Sequence, residues 1–145
     1  MTGIAIGDFI TVFDVNEFKA LQSIQLHESQ SLNWFRWAGS NRLLMSYSRR
    51  TFLLFFPVSM SRLQLFDLDD GELRQIALEE QGLEGDDVLH IDPGGEFIIF
   101  SASREIFEEP DVWRFPLDKT GSERIERVQK RKGKIDEWWA DDAGV

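Results

Sequence analysis

The chain has 145 residues, with 26 acidic against 16 basic side chains, a formal net charge of −10 and no cysteine. That length allows one modest domain. The charge disfavours partnership with nucleic acid or an anionic membrane surface, and the lack of cysteine removes disulfides and thiolate metal sites. Hydrophobic residues at 42%, with twelve Phe and five Trp, supply large side chains for a packed core.

In chain order, the segment from Met1 to Asp8 has no basic start and meets an acid almost at once, unlike a signal peptide. The most apolar stretch, Phe52 to Val58, is far too short to span a bilayer, so a soluble, cytoplasmic protein is expected. Residues 4–26 read as the last two strands of an earlier repeat, containing Ile10-Thr11-Val12-Phe13-Asp14-Val15. Residues 32–78 form the first full repeat. A strand there leads through Ala38-Gly39-Ser40-Asn41 into Arg42 to Ser48, makes a longer excursion over Arg50 to Met60, and returns through Leu63-Gln64-Leu65-Phe66-Asp67-Leu68. Residues 86–128 form the second. Here Asp87 to Ile91 passes through Asp92-Pro93-Gly94-Gly95 into Glu96 to Ser101, and Val112 to Leu117 follows. Residues 134–145 begin a third and stop just after its first turn, an ending that predicts truncation there. Between the last two lies a basic run, Arg124, Arg127, Lys130, Arg131, Lys132 and Lys134, broken by Glu123 and Glu126. It reads as a solvated strand end and loop.

Two interleaved motifs carry this repeat. Phe13, Phe66 and Phe115 are spaced by 53 and 49 residues, and Trp37, Ile91 and Trp139 by 54 and 48. Each Phe closes an apolar strand, and acidic or Gly-containing turn residues follow: Asn16, then Asp69-Asp70-Gly71, then Asp118-Lys119-Thr120-Gly121. Those are tight-turn residues, with Gly where positive φ is expected. Four short strands per repeat of roughly 50 residues match a large propeller blade. The fold class expected is therefore all-β: antiparallel four-stranded blades of an incomplete β-propeller, about two full blades with partial blades at each end. The alternative is a small open β-sandwich of about twelve strands, because pattern fixes topology loosely.

At Phe56-Pro57-Val58-Ser59 through Leu68, at Asp86 to Ser103 and at Trp138 to Val145, the chain resembles the N-terminal propeller of dipeptidyl aminopeptidase/acylaminoacyl-peptidase proteins of the prolyl oligopeptidase family. The resemblance implies a propeller that admits short peptides and docks an α/β-hydrolase domain, which holds a serine, an acid and a histidine. The Gly-x-Ser-x-Gly elbow of such a domain is absent from this sequence, so no catalytic residue carries over and the chain is expected not to be an enzyme by itself. The partners implied are that hydrolase domain in a parent chain, or other subunits. The rival reading is a stand-alone propeller remnant that self-assembles as a protein-interaction module. A sugar-binding fragment is a third option, predicting exposed rather than packed tryptophans.

Few residues offer chemistry of their own. His27 sits in the polar connection Leu26-His27-Glu28-Ser29-Gln30-Ser31, and His90 lies inside a strand. Neighbours in sequence do not make a triad, and two histidines without cysteine make zinc an unlikely ligand; no cofactor or metal is expected. The turn acids Asp69-Asp70 and Asp141-Asp142 lack the further oxygen ligands at fixed spacing that calcium requires. Glu108 and Glu109, on a rim loop, are the substrate-binding candidates, because some dipeptidyl peptidases of the resembled family hold a substrate's ammonium terminus with paired glutamates. The apolar excursion containing Phe52, Leu53, Phe55 and Phe56 is the candidate interaction surface. Trp34, Trp37, Trp138 and Trp139 are expected to pack between blades.

Overall fold

The computed structural model describes residues 2–6, 9–106, 108–130 and 138–141. The last partial repeat, 134–145, therefore lies outside the described residues except for 138–141, as do Arg131, Lys132 and Lys134 of the basic run.

The chain is all-β. Eleven strands are described: β1 Thr2–Ile6, β2 Phe9–Asp14, β3 Lys19–Gln25, β4 Gln30–Ala38, β5 Arg42–Leu53, β6 Phe56–Asp67, β7 Glu72–Gln75, β8 Asp87–Ile91, β9 Phe97–Ala102, β10 Asp111–Pro116 and β11 Glu126–Gln129. They form three antiparallel meanders, β1–β3, β4–β7 and β8–β11. The last two are four-stranded blades. The first sheet has three strands rather than the two expected, because Thr2–Ile6 pairs along β2 from Thr2↔Asp14 to Ile6↔Ile10.

Strand alternation explains why the blades stack. A strand turns successive side chains to opposite faces, and β5 is apolar on both. Its Leu43 and Met45 join Ile10, Ile24 and Phe66 in a core between the first and second sheets. Its Leu44 joins Leu63, Leu65, Ile98, Phe100, Trp113 and Phe115 in a core between the second and third. The middle blade is thus covered on both faces, and Leu43, Leu44, Leu63, Leu65 and Phe100 are fully buried. Burying each such side chain contributes about 1.5–3 kcal/mol. The two blades stack face to face as in a β-propeller, with no ring closure among the described residues.

Equivalent turns of neighbouring blades meet at one end of the stack. Gly39 and Gly95 both have positive φ, 72° and 73°. A Cβ on Gly39 would sit 2.9 Å from the Gly94 carbonyl oxygen, and one on Gly95 would sit 2.7 Å from that of Ala38. Glycine is required twice over, by conformation and by space. Beside them Arg42 donates to the Gly95 carbonyl at 2.9 Å and pairs with Asp67 at 3.1 Å. The β6–β7 and β10–β11 turns are joined by Lys119, 2.7 Å from Asp70. Gly121 departs from expectation: it opens a 3₁₀ turn, Gly121–Glu123, outside the positive-φ region. It is needed because a Cβ there would strike the Pro116 carbonyl and the Phe115 ring.

The segment between β7 and β8 bridges the two blades: its Gly82 amide donates to the Ser103 carbonyl just after β9 at 2.7 Å, and its other bonds tie it to β5 and β6. The buried Gln81 side chain donates to the Ile76 carbonyl (2.8 Å) and accepts from the Leu63 amide (3.1 Å). Asp86 accepts hydrogen bonds from the hydroxyls of Ser46 at 2.5 Å and Ser61 at 2.6 Å. Ser46 is completely buried, so this carboxylate satisfies a polar group that would otherwise cost free energy to bury.

Candidate functional site

The opposite end of the stack carries the β5–β6 hairpin, the β3–β4 connection and the β9–β10 loop. Its dominant feature is the hairpin. β5 and β6 stay paired from Arg42↔Asp67 out to Leu53↔Phe56, whereas β4 leaves β5 at Gln30↔Arg49 and β7 leaves β6 at Gln64↔Gln75. The outer half is therefore a two-stranded ribbon. The excursion expected over Arg50 to Met60 is thus strand, not loop, because the alternating side chains there keep pairing after the neighbouring strands have ended.

Leu54 and Phe55 alone form the reversal, with φ of 49° and 79°. Positive φ at both central residues is the signature of a type I′ turn, normally built from Asn and Gly because other L-residues are strained there. Here the residues are apolar and exposed: Leu54 75%, Phe55 96%, with Phe52 and Phe56 similarly open. Leu53 departs from the expected surface, being half-buried. Leu54 belongs to the same apolar stretch, Phe52 to Phe56, and completes its exposed tip.

The two glutamates lie in the β9–β10 loop at this same end. Glu108 lines a cavity of about 390 Å³ with Glu84, Asp87, Ser101, Ser103 and Ile106. Glu109 is half-buried and is not one of the lining residues. The structure thus separates the pair and gives Glu108 two acidic companions from the segment entering β8. Sequence inspection missed Glu84 and Asp87 because they lie more than twenty residues upstream of Glu108.

His27 accepts from Ser29 twice at its Nδ1, at 3.2 Å from the amide and 2.8 Å from the hydroxyl in the tautomer that leaves Nδ1 bare. This is local turn geometry. His90 lies in β8, its ring centroid 5.9 Å from that of Phe97. Among the described residues no group of three His, Asp or Glu side chains is placed to hold a metal ion. No helix among them is long and apolar enough to cross a membrane.

The tryptophans divide. Trp34 packs on the core between the two blades and Trp37 on the core beside the first sheet. Trp138 lies against the outer face of the third sheet and donates to the Pro110 carbonyl at 3.0 Å. Trp139 corrects the expectation of packing, being 82% exposed. Both line an apolar cavity with Leu89, Ile99, Val112 and Val128.

Charges at the turn-stack end are locally paired. Hydrogen bonding from Arg124, then from Thr120, holds the Asp118 carboxyl down at about 2. The Lys119 ammonium, followed by the Glu72 amide, lowers that of Asp70. Compared with known proteins, the chain matches no family model, no curated protein and no solved structure.

Proposed function

We propose that this chain is a non-catalytic propeller segment that gates short peptides and docks the α/β-hydrolase domain of a serine peptidase of the prolyl oligopeptidase type. The observation that carries the docking is the hairpin tip, where four large apolar side chains are exposed on a ribbon whose turn is strained. Strain kept at an exposed position calls for a reason outside stability, and an apolar tip that a second domain covers supplies one. The gating part is supported by the acidic cavity at Glu108, Glu84 and Asp87, whose carboxylates attract the ammonium terminus of a peptide.

The test is immunoprecipitation from source cells, followed by labelling with a fluorophosphonate probe for activated serines. A labelled serine in the precipitated polypeptide or its bound partner is expected, with the bound form lost in a Phe52→Ser, Phe55→Ser variant. A precipitate with no labelled serine rules this reading out. A second reading is a stand-alone module that self-assembles. It is favoured by the apolar cavity on the outer face of the third sheet, beside the exposed Trp139. Sedimentation at several concentrations distinguishes it: a dimer that Trp139→Ser dissociates supports self-assembly, and a monomer throughout excludes it.

A further inference from the structure

The three sheets share one register, and that register shows which strand the first of them lacks. Ile4 pairs with Val12 in the first sheet, Leu44 with Leu65 in the second and Ile99 with Arg114 in the third, so β1 stands where β5 and β9 stand. β5 and β9 each have a further strand on their other side, β4 and β8. β1 has none among the described residues, and its open edge is a template for strand addition. The face of the first sheet agrees. Phe66 and Phe115 are buried against the preceding sheet, but Phe13, at their repeat position, is only half-buried, and Phe9 on the same face is exposed.

The third sheet carries the complement. Trp139 falls at the repeat position of Trp37 in β4 and Ile91 in β8, both of which pack on the preceding sheet. Trp139 is exposed instead, and residues 138–141 belong to no strand. Beside it, Ile99 and Val112 take the places of Leu44 and Leu63, the residues on which the following blade packs. On the third sheet they line, with Leu89, Val128 and Trp138, the apolar cavity of about 460 Å³ that Trp139 borders.

We propose that a second copy of this chain joins these two surfaces head to tail. Trp138-Trp139-Ala140 of one copy adds to β1 of the next, and the four-stranded blade so completed packs on the first copy's third sheet. The register follows from β4, which pairs antiparallel with β5 through Arg36↔Leu44, Trp37↔Leu43 and Ala38↔Arg42. The equivalent places set Trp138 opposite Ile4, Trp139 opposite Gly3 and Ala140 opposite Thr2 of the neighbouring copy. One copy does not make this contact with itself, because its three described sheets are fewer than the four or more blades that bring a propeller's first and last blades together. Two copies of three sheets hold six blades, within the range that closes a ring, and closure satisfies both surfaces of each copy. A different protein would have to supply both the added strand and the blade face, and this chain already carries them.

This contact rests on the self-assembly reading and specifies its surfaces, and the test separates the two. The chain has no cysteine, so Thr2→Cys and Ala140→Cys each introduce a single thiol. Residues directly opposite in antiparallel strands have Cα atoms about 4.5–5.5 Å apart, within disulfide reach. The two variants, one of them isotope-labelled, are mixed and oxidised after circular dichroism confirms that each is folded. A disulfide-linked pair of unlike chains is expected, with severalfold less linkage when either variant is oxidised alone, and the unsubstituted chain should sediment as a dimer. A dimer without the mixed linkage, or one that Ala140→Cys links to itself as readily, overturns this contact and leaves self-assembly standing. A monomer at every concentration overturns both. Mixed linkage in assemblies of more than two copies overturns the six-bladed ring.

Discussion

Replacing the reversal of the long hairpin, Leu54→Asn with Phe55→Gly, should make the protein more stable. Both residues have positive φ, 49° and 79°, which costs an L-residue roughly 1–2 kcal/mol each. Glycine removes most of that cost at position 55, and asparagine tolerates the left-handed region better than leucine does at position 54. The opposing loss is small, since the two side chains are 75% and 96% exposed and bury little on folding. Glycine's greater freedom in the unfolded chain returns part of the gain. The net is about 1–2 kcal/mol, which for a chain of this size raises Tm by about 3–8 °C. Thermal unfolding by circular dichroism at matched concentration reads the shift. An unchanged or lowered Tm, with the hairpin amides still protected from exchange, would refute the claim that the turn is strained. In that event the exposed tip carries no strain for docking to explain.

Three further outcomes follow from the packing and the charges. Phe100→Ala, at a fully buried site between the two blades, should cost about 3–5 kcal/mol, read as a lowered urea midpoint at constant slope. Asp86→Ala leaves the Ser46 and Ser61 hydroxyls without their shared acceptor and should cost about 1–3 kcal/mol, whereas Asp86→Asn should lose less because one acceptor oxygen remains. Asp118 is held at about 2 by the Arg124 side chain, so its ion pair favours the folded state above the ordinary aspartate range and is lost as pH falls through about 4 to 2. Carboxyl NMR should show that low midpoint rising in Arg124→Ala, and a midpoint insensitive to the substitution counts against the pairing.

The repeat was legible because its turn residues are constrained twice. Gly39 and Gly95 are fixed by φ and by the carbonyl facing them, so glycine recurs at matching places in both blades. The unbroken apolar runs Leu43-Leu44-Met45 in β5 and Phe97 to Phe100 in β9 likewise mark strands buried on both sides. The third strand of the first sheet was harder to see, because Thr2–Ile6 is short and precedes the first complete motif. The long ribbon resembles a loop in the sequence, because an unaccompanied pair of strands leaves no mark there distinct from an apolar insertion. At the candidate sites, sequence picked out Phe52, Phe55, Phe56 and Glu108. It could not join Glu108 to Glu84 and Asp87, because that depends on which chain segments converge at one end of the stack.

The two ends of that stack face different constraints on change. At one, neighbouring turns touch backbone to backbone at Gly39 and Gly95, and Lys119 reaches across to Asp70; a single inserted residue there would drive adjacent blades apart. At the other, the hairpin already extends beyond its neighbouring strands and the β9–β10 loop spans Ser103 to Pro110. Insertions and deletions at that end alter what the protein presents without disturbing how its blades meet. Peptide grafting, domain insertion and evolutionary drift in length should all be absorbed there, leaving the opposite end as the fixed frame from which new recognition surfaces are varied.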